Sequence, residues 1–197
     1  PVLHDTVQKF MGKFVPAGLA PNALYNCYAM AENTFAMTST DTEGIPFLDI
    51  DQIVFQREHR IVRKQGGRSI ASAGKPLENI TIRILDENGS ALSEDMVGEV
   101  TIKSNCMLDC YHNNPEETAK AMSDGWFKTG DLGFFHVGEL YITGRKKDMI
   151  IVGGENIYPQ DIELILNDES YLIPGRNVVF GTEDERIGTE KIVILAE

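Results

Sequence analysis

The sequence is poor in the residues that build disulfide or zinc frameworks. Its 197 residues include three cysteines, Cys27, Cys106 and Cys110, and four histidines. The cysteines are odd in number and form no CxxC pair, which argues against a disulfide scaffold and against a zinc site. We therefore expect a reducing environment and a cytoplasmic location.

The sequence also lacks an excess of positive charge and any long apolar run. Lysine and arginine total 18 against 30 aspartate and glutamate, which gives a formal net charge of -12. This balance argues against non-specific binding to nucleic acid or to an anionic membrane surface. Apolar runs such as residues 149–152 are too short to span a membrane. The hydrophobic content of 42% is still sufficient for a folded core.

Apolar periodicity predicts a mixed α+β fold with a largely antiparallel sheet or open barrel. Helical spacing predicts an amphipathic helix at the start of the sequence, with an apolar face made of Leu3, Val7, Phe10, Met11 and Phe14. Strands are predicted at residues 80–84, 99–103, 139–142, 149–152, 177–180 and 191–195. Short helices are predicted to start at Asn114–Pro115 and Tyr158–Pro159. Residues 25–40 could form a strand, a turn and another strand.

Two stretches carry acids in settings suited to a nucleotide. Glu32 follows a run of small residues, and such an acid could hold Mg²⁺, which prefers one or two carboxylates plus phosphate oxygens. Asp131 follows Gly130, and a carboxylate placed in this way can accept two hydrogen bonds from a vicinal diol such as ribose. The alternatives are a surface acid at a strand end for Glu32 and an ordinary Gly-Asp turn for Asp131.

Two later stretches are also candidate ligand-binding sites. Arg145 offers fixed donors suited to hydroxyls or phosphate, although a charged hairpin tip is the alternative. Gly153 and Gly154 permit positive φ and a close approach of a ligand, although a tight turn that leads into a helix explains them equally.

In their order and spacing these stretches resemble the adenylate-forming ligase superfamily, which includes acyl-CoA synthetases and fatty-acyl-AMP ligases. The similarity extends over essentially the whole chain and runs through residues 28–32, 74–77, 82–86, 98–100, 128–132, 144–148 and 153–163. It implies a fragment in which residues 1–146 are the distal part of the large AMP-binding domain, with a distorted antiparallel β-barrel. Residues 147–197 would then start the small α+β C-terminal domain.

The resemblance implies a reaction in two steps. A carboxylic acid, fatty or aromatic, reacts with ATP and Mg²⁺ to give acyl-AMP, and a thiol of CoA or of a carrier protein's pantetheine then takes the acyl group. By resemblance, Tyr28 would lie beside adenine, and Glu32 would be the catalytic acid associated with Mg²⁺. Asp131 and Arg145 would bind the ribose.

The resemblance also gives roles to the last part of the chain. Lys147 would be the hinge about which the small domain rotates, and Gly153 and Gly154 would line the thiol tunnel. Two parts of the family pattern, a phosphate loop and a catalytic lysine, would lie outside residues 1–197, so we expect the fragment to be inactive alone. The sequence departs from the pattern at Ala29 and Ala31, where Gly and Thr are frequent. The alternative function is a non-catalytic nucleotide-binding or interaction module with the same architecture.

Overall fold

The computed structural model describes residues 2–41, 44–184 and 189–197. In this part of the chain the α-helices are α1 (His4–Phe14), α2 (Gln52–Glu58), α3 (Pro115–Ala121) and α4 (Pro159–Leu166). Short 3₁₀-helices lie at Val15–Ala17, Ala31–Asn33 and Lys146–Asp148. The strands among these residues are β1 (Thr38–Ser39), β2 (Phe47–Ile50), β3 (Arg68–Pro76), β4 (Ile80–Leu85), β5 (Gly98–Ser104), β6 (Met122–Ser123), β7 (Trp126–His136), β8 (Glu139–Arg145), β9 (Ile150–Val152), β10 (Glu155–Ile157), β11 (Asn177–Asp184) and β12 (Thr189–Ala196).

The chain divides into two compact units. The first unit contains the residues up to 55 and residues 59–143, and the second contains residues 56–58 and 144–197. The division therefore falls after residue 143, whereas the sequence predicted a domain boundary after residue 146. The assignment of the two parts to a large and a small ligase domain stays a prediction.

The first unit is built on a curled antiparallel sheet. Its strands follow the order β1-β3-β8-β7-β5-β4, with β2 paired to β3 and β6 paired to β7. The sheet curls into a half-barrel, and helices accompany it, so the predicted mixed α+β class with an antiparallel barrel-like sheet is confirmed.

The core of this unit lies on one face of the sheet. Successive side chains of a strand point to opposite faces, so Ile82 and Ile84 of β4 are buried while Arg83 between them is exposed. Val100 and Ile102 of the neighbouring β5 pack into the same cluster. Complete burial of one such side chain contributes about 1.5–3 kcal/mol to folding. The alternation that predicted these two strands therefore reflects their buried face.

The opening helix is confirmed. Helix α1 covers His4–Phe14 and is followed by a 3₁₀-helix that contains Pro16 and ends at Gly18, where φ is 100°. None of the residues of α1 is buried. Phe10 and Phe14 contact each other with ring centroids 4.6 Å apart.

The strand, turn and strand predicted for residues 25–40 form only in part. Ala29 and Ala36 make an isolated bridge, and β1 contains two residues. Backbone hydrogen bonds run from Met37 to the Tyr28 carbonyl and from Thr40 to the Asn26 carbonyl. Side chains add to them, because the hydroxyl of Thr38 accepts a hydrogen bond from the Tyr28 amide and the hydroxyl of Thr40 accepts one from the Asn26 amide.

The second unit contains two hairpins and one helix. Strands β9 and β10 form the first hairpin, α4 follows, and β11 and β12 form the second. The predicted strands and the predicted helix start at Pro159 are thus confirmed. The Glu163 carboxylate of α4 accepts a hydrogen bond from the amide of the buried Val179 at 3.0 Å. Among the described residues, no helix has the length and apolar character needed to cross a bilayer.

Candidate nucleotide site

Asp131 is a buried acid in the middle of β7. Only 7% of its surface is exposed. The preceding Gly130 adopts φ of 71°, a left-handed conformation that glycine takes without steric cost. The hydroxyl of Thr129 accepts a hydrogen bond from the Asp131 amide at 3.0 Å and donates one to the Val100 carbonyl at 2.8 Å. The sequence alternative, a turn between two strands, is therefore wrong, because Gly130 lies within a continuous strand.

Tyr28 and Asp131 are brought together by the fold. The Tyr28 hydroxyl donates a hydrogen bond to Oδ2 of Asp131. Tyr28 is half-buried, and its side chain packs against the apolar core of the sheet. An ionised carboxylate can accept about four hydrogen bonds, so this bond is compatible with two more from a diol. Tyr28 and Asp131, which the resemblance assigns to the same nucleotide, are therefore in contact.

Glu32 lies in the 3₁₀-helix Ala31–Asn33, and a tyrosine contacts its side chain. The hydroxyl of Tyr111 donates a hydrogen bond to Oε1 of Glu32 at 2.9 Å. Burial and this bond to a carboxylate raise the pKa of the Tyr111 phenol, so it stays protonated near neutral pH. The Leu108 amide also donates to the Glu32 carbonyl at 2.8 Å. Glu32 is thus held through both its backbone and its side chain.

Arg145 and Lys147 lie at the start of the second unit. Arg145 ends β8, and Lys147 is in the exposed 3₁₀-helix that separates β8 from β9. Lys147 therefore lies between two strands, as the hinge hypothesis requires, but in one turn of helix. The roles of both residues stay predictions.

Gly153 and Gly154 form the tight turn of the β9–β10 hairpin. Val152 pairs with Glu155, so the two glycines are the whole loop, and their φ values are 60° and 84°. Positive φ at both positions is what a two-residue type I′ turn requires. The Gly153 amide donates a hydrogen bond to the Thr189 hydroxyl of β12 at 2.9 Å. Turn geometry explains both glycines, and a role in a thiol tunnel stays a prediction.

A family model for AMP-binding enzymes matches residues 2–112. This chain belongs to the AMP-binding enzyme family. The matched part includes Tyr28, Glu32 and Tyr111, whereas Asp131 lies beyond it.

Three similar proteins extend the comparison. A medium-chain-fatty-acid–[acyl-carrier-protein] ligase of Moorena producens is 36% identical over 83% of this chain and 30% of the relative. An indoleacetate–CoA ligase of Aromatoleum aromaticum is 35% identical over 65% of this chain and 25% of the relative. A structure from a study of fatty acyl-adenylate ligases of E. coli and L. pneumophila has a TM-score of 0.88 and 28% identity. It covers 100% of this chain, which spans 36% of that structure. The chain thus spans about a third of the proteins it resembles.

The side chains of the site fit a nucleotide with one bound divalent cation such as Mg²⁺. Magnesium is commonly held by one or two carboxylates together with phosphate oxygens, and Glu32 supplies such a carboxylate. Within residues 2–41, 44–184 and 189–197, no group of three or more histidine, cysteine or acidic side chains lies together. Roles for Glu32 at a cation and for Asp131 at hydroxyl groups stay predictions.

Tyr111 is the residue of this site that the sequence did not reveal. It lies 79 positions from Glu32, in a stretch that predicted only the start of α3. No local spacing encodes a contact over such a distance. An aromatic hydroxyl between a strand and a helix is a weak signal, and it becomes informative only when the fold places it on Glu32.

Proposed function

We propose that this chain is part of an ATP-dependent ligase that activates a carboxylic acid as acyl-AMP and passes the acyl group to a thiol. Membership of the AMP-binding family supports this function, and so does the likeness to fatty acyl-adenylate ligases. The observation that carries it is the pairing of buried Asp131 with Tyr28. This pairing provides a carboxylate with an aromatic ring beside it, which suits a nucleoside.

Asp131 would bind the ribose of ATP through both of its hydroxyl groups. The buried carboxylate is held by the Tyr28 hydroxyl, so its orientation is set before the nucleotide arrives. A hydrogen bond that involves a charged group contributes about 1.5–3 kcal/mol. The Tyr28 ring, fixed by the same bond, would lie against the adenine. A role for Arg145 at the ribose rests on the resemblance alone.

Glu32 would hold Mg²⁺ beside the phosphates. When bound, this ion neutralises phosphate charge and stabilises the charge that develops on the leaving group. The chain's own contribution is a carboxylate held in place by Tyr111 and by the Leu108 amide. Placement of this kind matters because phosphoryl and adenylyl transfer depends on positioning and on charge stabilisation.

The first half-reaction joins the acid to AMP. A carboxylate oxygen of the substrate attacks the α-phosphorus of ATP, the bond to the β-phosphate bridging oxygen breaks, and pyrophosphate leaves with the electron pair. In the second half-reaction a thiol sulfur attacks the acyl carbonyl, loses its proton and displaces AMP. The products are a thioester and AMP, with no net oxidation.

The second unit would serve the second half-reaction. Lys147, exposed between β8 and β9, would act as the hinge at which backbone dihedrals change between the two states. Gly153 and Gly154 would line the path of the thiol, since a loop without Cβ atoms permits a close approach. The acceptor would be CoA or a carrier protein, because relatives are named for each. The substrate would be a fatty or aromatic acid, and the enzyme would act in the cytoplasm.

Mass spectrometry of the complete ligase that contains this segment tests the proposal. With ATP, Mg²⁺ and a panel of fatty and aromatic acids, we expect acyl-AMP, and a thioester after addition of CoA or a carrier protein. Residues 1–197 alone should form no acyl-AMP if, as the resemblance implies, the family's phosphate loop and catalytic lysine lie outside them. Nucleotide binding without acyl-AMP from any acid would instead support a non-catalytic nucleotide-binding module.

A further inference from the structure

The end of β5 and the segment between β5 and α3 form hydrogen bonds with the 3₁₀-helix that carries Glu32. The hydroxyl of Ser104 donates a hydrogen bond to the Asn33 side chain, which is only 3% exposed. The Leu108 amide donates to the Glu32 carbonyl at 2.8 Å, and the Tyr111 hydroxyl donates to its side chain at 2.9 Å. These contacts hold the Glu32 carbonyl, the Glu32 side chain and the side chain of the following Asn33.

Tyr111 is itself fixed from the opposite side by α3. Its amide donates a hydrogen bond to the Thr118 hydroxyl at 2.9 Å, and this hydroxyl donates to the Asn114 carbonyl at 2.8 Å. Asn114 is the N-cap of α3, because its side chain accepts a hydrogen bond from the Glu117 amide at 3.2 Å. Tyr111 is therefore bonded to α3 through its backbone amide and to the Glu32 carboxylate through its side-chain hydroxyl.

A phenol suits this position for a chemical reason. A lysine or arginine beside Glu32 would neutralise the negative charge that attracts a cation. A phenol donates one hydrogen bond and adds no formal charge, so it orients the carboxylate while leaving its charge in place. Partners of this kind orient metal ligands in many proteins, and their removal lowers metal affinity by about 10–100-fold.

We infer that Tyr111 is a positioning residue for Glu32: its hydroxyl holds Oε1 and so orients the carboxylate that would hold the divalent cation. This inference rests on the proposed function, since it assumes that Glu32 holds Mg²⁺. Tyr111 acts through Glu32 and touches neither ATP nor the acid. Removal of the Tyr111 hydroxyl should therefore weaken the binding of the metal ion. The reaction rate should stay the same once the metal ion is saturating.

The test is Tyr111→Phe in the complete ligase, with two readouts. Binding of Mn²⁺ to the enzyme–ATP complex, followed by electron paramagnetic resonance without any acid substrate, should weaken by about 10–100-fold. In pyrophosphate exchange, the Mg²⁺ concentration for half-maximal rate should rise by a similar factor, while the rate at saturating Mg²⁺ changes little. Tyr171→Phe makes the same chemical change at a tyrosine that is 77% exposed, and should match the parent.

A double-mutant cycle shows whether Tyr111 acts through Glu32. In a Glu32→Gln background, Tyr111→Phe should change Mn²⁺ binding by less than about twofold, because the two changes remove one interaction. An equal loss in both backgrounds, or an unchanged Mn²⁺ affinity in Tyr111→Phe, would overturn the inference. Absence of pyrophosphate exchange in the parent with every acid would instead overturn the proposed function.

Discussion

The Tyr28 hydroxyl donates a hydrogen bond to Oδ2 of Asp131, although 103 positions separate the two residues. Tyr28 precedes the 3₁₀-helix that carries Glu32, and Asp131 lies in the middle of β7. The bond therefore joins the two parts of the first unit that we assign to the nucleotide. It also has a consequence for stability, because Asp131 is almost completely buried.

Tyr28→Phe should destabilise the first unit. The change removes one hydrogen-bond donor from a buried carboxylate, and a hydrogen bond to a charged group contributes about 1.5–3 kcal/mol. Urea unfolding can follow this unit through the fluorescence of Trp126, which is the single tryptophan of the chain and lies in β7. Tyr25→Phe is the matched control, since Tyr25 is 52% exposed and lies in the same unit. An equal unfolding midpoint for the two variants would contradict the prediction.

Asp51 should make the stability of the first unit depend on acid pH. Its carboxylate accepts hydrogen bonds from the amides of Ile53 and Val54 at the start of α2 and pairs with Lys64 at 3.0 Å. The bond to Lys64 is the main cause that lowers the pKa of Asp51. A carboxyl group with a lowered folded pKa stabilises the protein above its unfolded pKa, about 4, and loses this contribution as pH falls through the folded pKa.

Asp51→Asn should therefore be less stable than the parent at about pH 6, and the difference should shrink towards about pH 3. The introduced side-chain amide keeps an oxygen that can accept the hydrogen bonds at the start of α2, but it does not titrate. Urea midpoints from Trp126 fluorescence at several pH values give the measurement. Asp168→Asn makes the same chemical change at an exposed aspartate and is the control. A pH-independent difference for Asp51→Asn would show that the Lys64 pair contributes nothing.

Lys147→Pro should separate the two half-reactions of the complete ligase. Proline fixes φ near about −65° and removes the amide hydrogen, so a hinge at this position would be trapped in one state. We expect acyl-AMP formation to persist and thioester formation to be lost. Lys147→Ala removes the same charge but keeps the backbone free, and should retain both activities. Equal loss of both half-reactions in a Pro variant with the parent's circular dichroism spectrum would show that Lys147 is only an exposed lysine.

Elements with a clear apolar period could be predicted from the sequence. Alternation located β4 and β5, and Asn114 followed by Pro115 located the start of α3. Helix α2 was not predicted. Its seven residues are too few to show an apolar period, and Phe55 is its one buried residue. The continuity of β7 was also missed, since a Gly-Asp pair is typical of a turn, whereas β7 pairs with β5 on both sides of Gly130.

For the candidate site, several residues could be predicted from the sequence, but the contacts between them could not. Tyr28, Glu32 and Asp131 stood out because they lie in short stretches with a family pattern. The bond between Tyr28 and Asp131 and the contact of Tyr111 with Glu32 depend on how β5, β7 and the 3₁₀-helix come together. Such contacts between residues far apart in sequence follow from the packing of the sheet and have no local signal.

Pyrophosphate exchange by the complete ligase carrying Asp131→Ala tests the central claim most directly. If Asp131 binds the ribose, the KM for ATP should rise and the exchange rate should fall by at least about tenfold, since each lost charged hydrogen bond costs about 1.5–3 kcal/mol. Asp131→Asn, which preserves shape, should be affected less, and Asp168→Ala should match the parent. Exchange at the parent's rate and with the parent's KM for ATP in a folded Asp131→Ala variant would contradict the assignment.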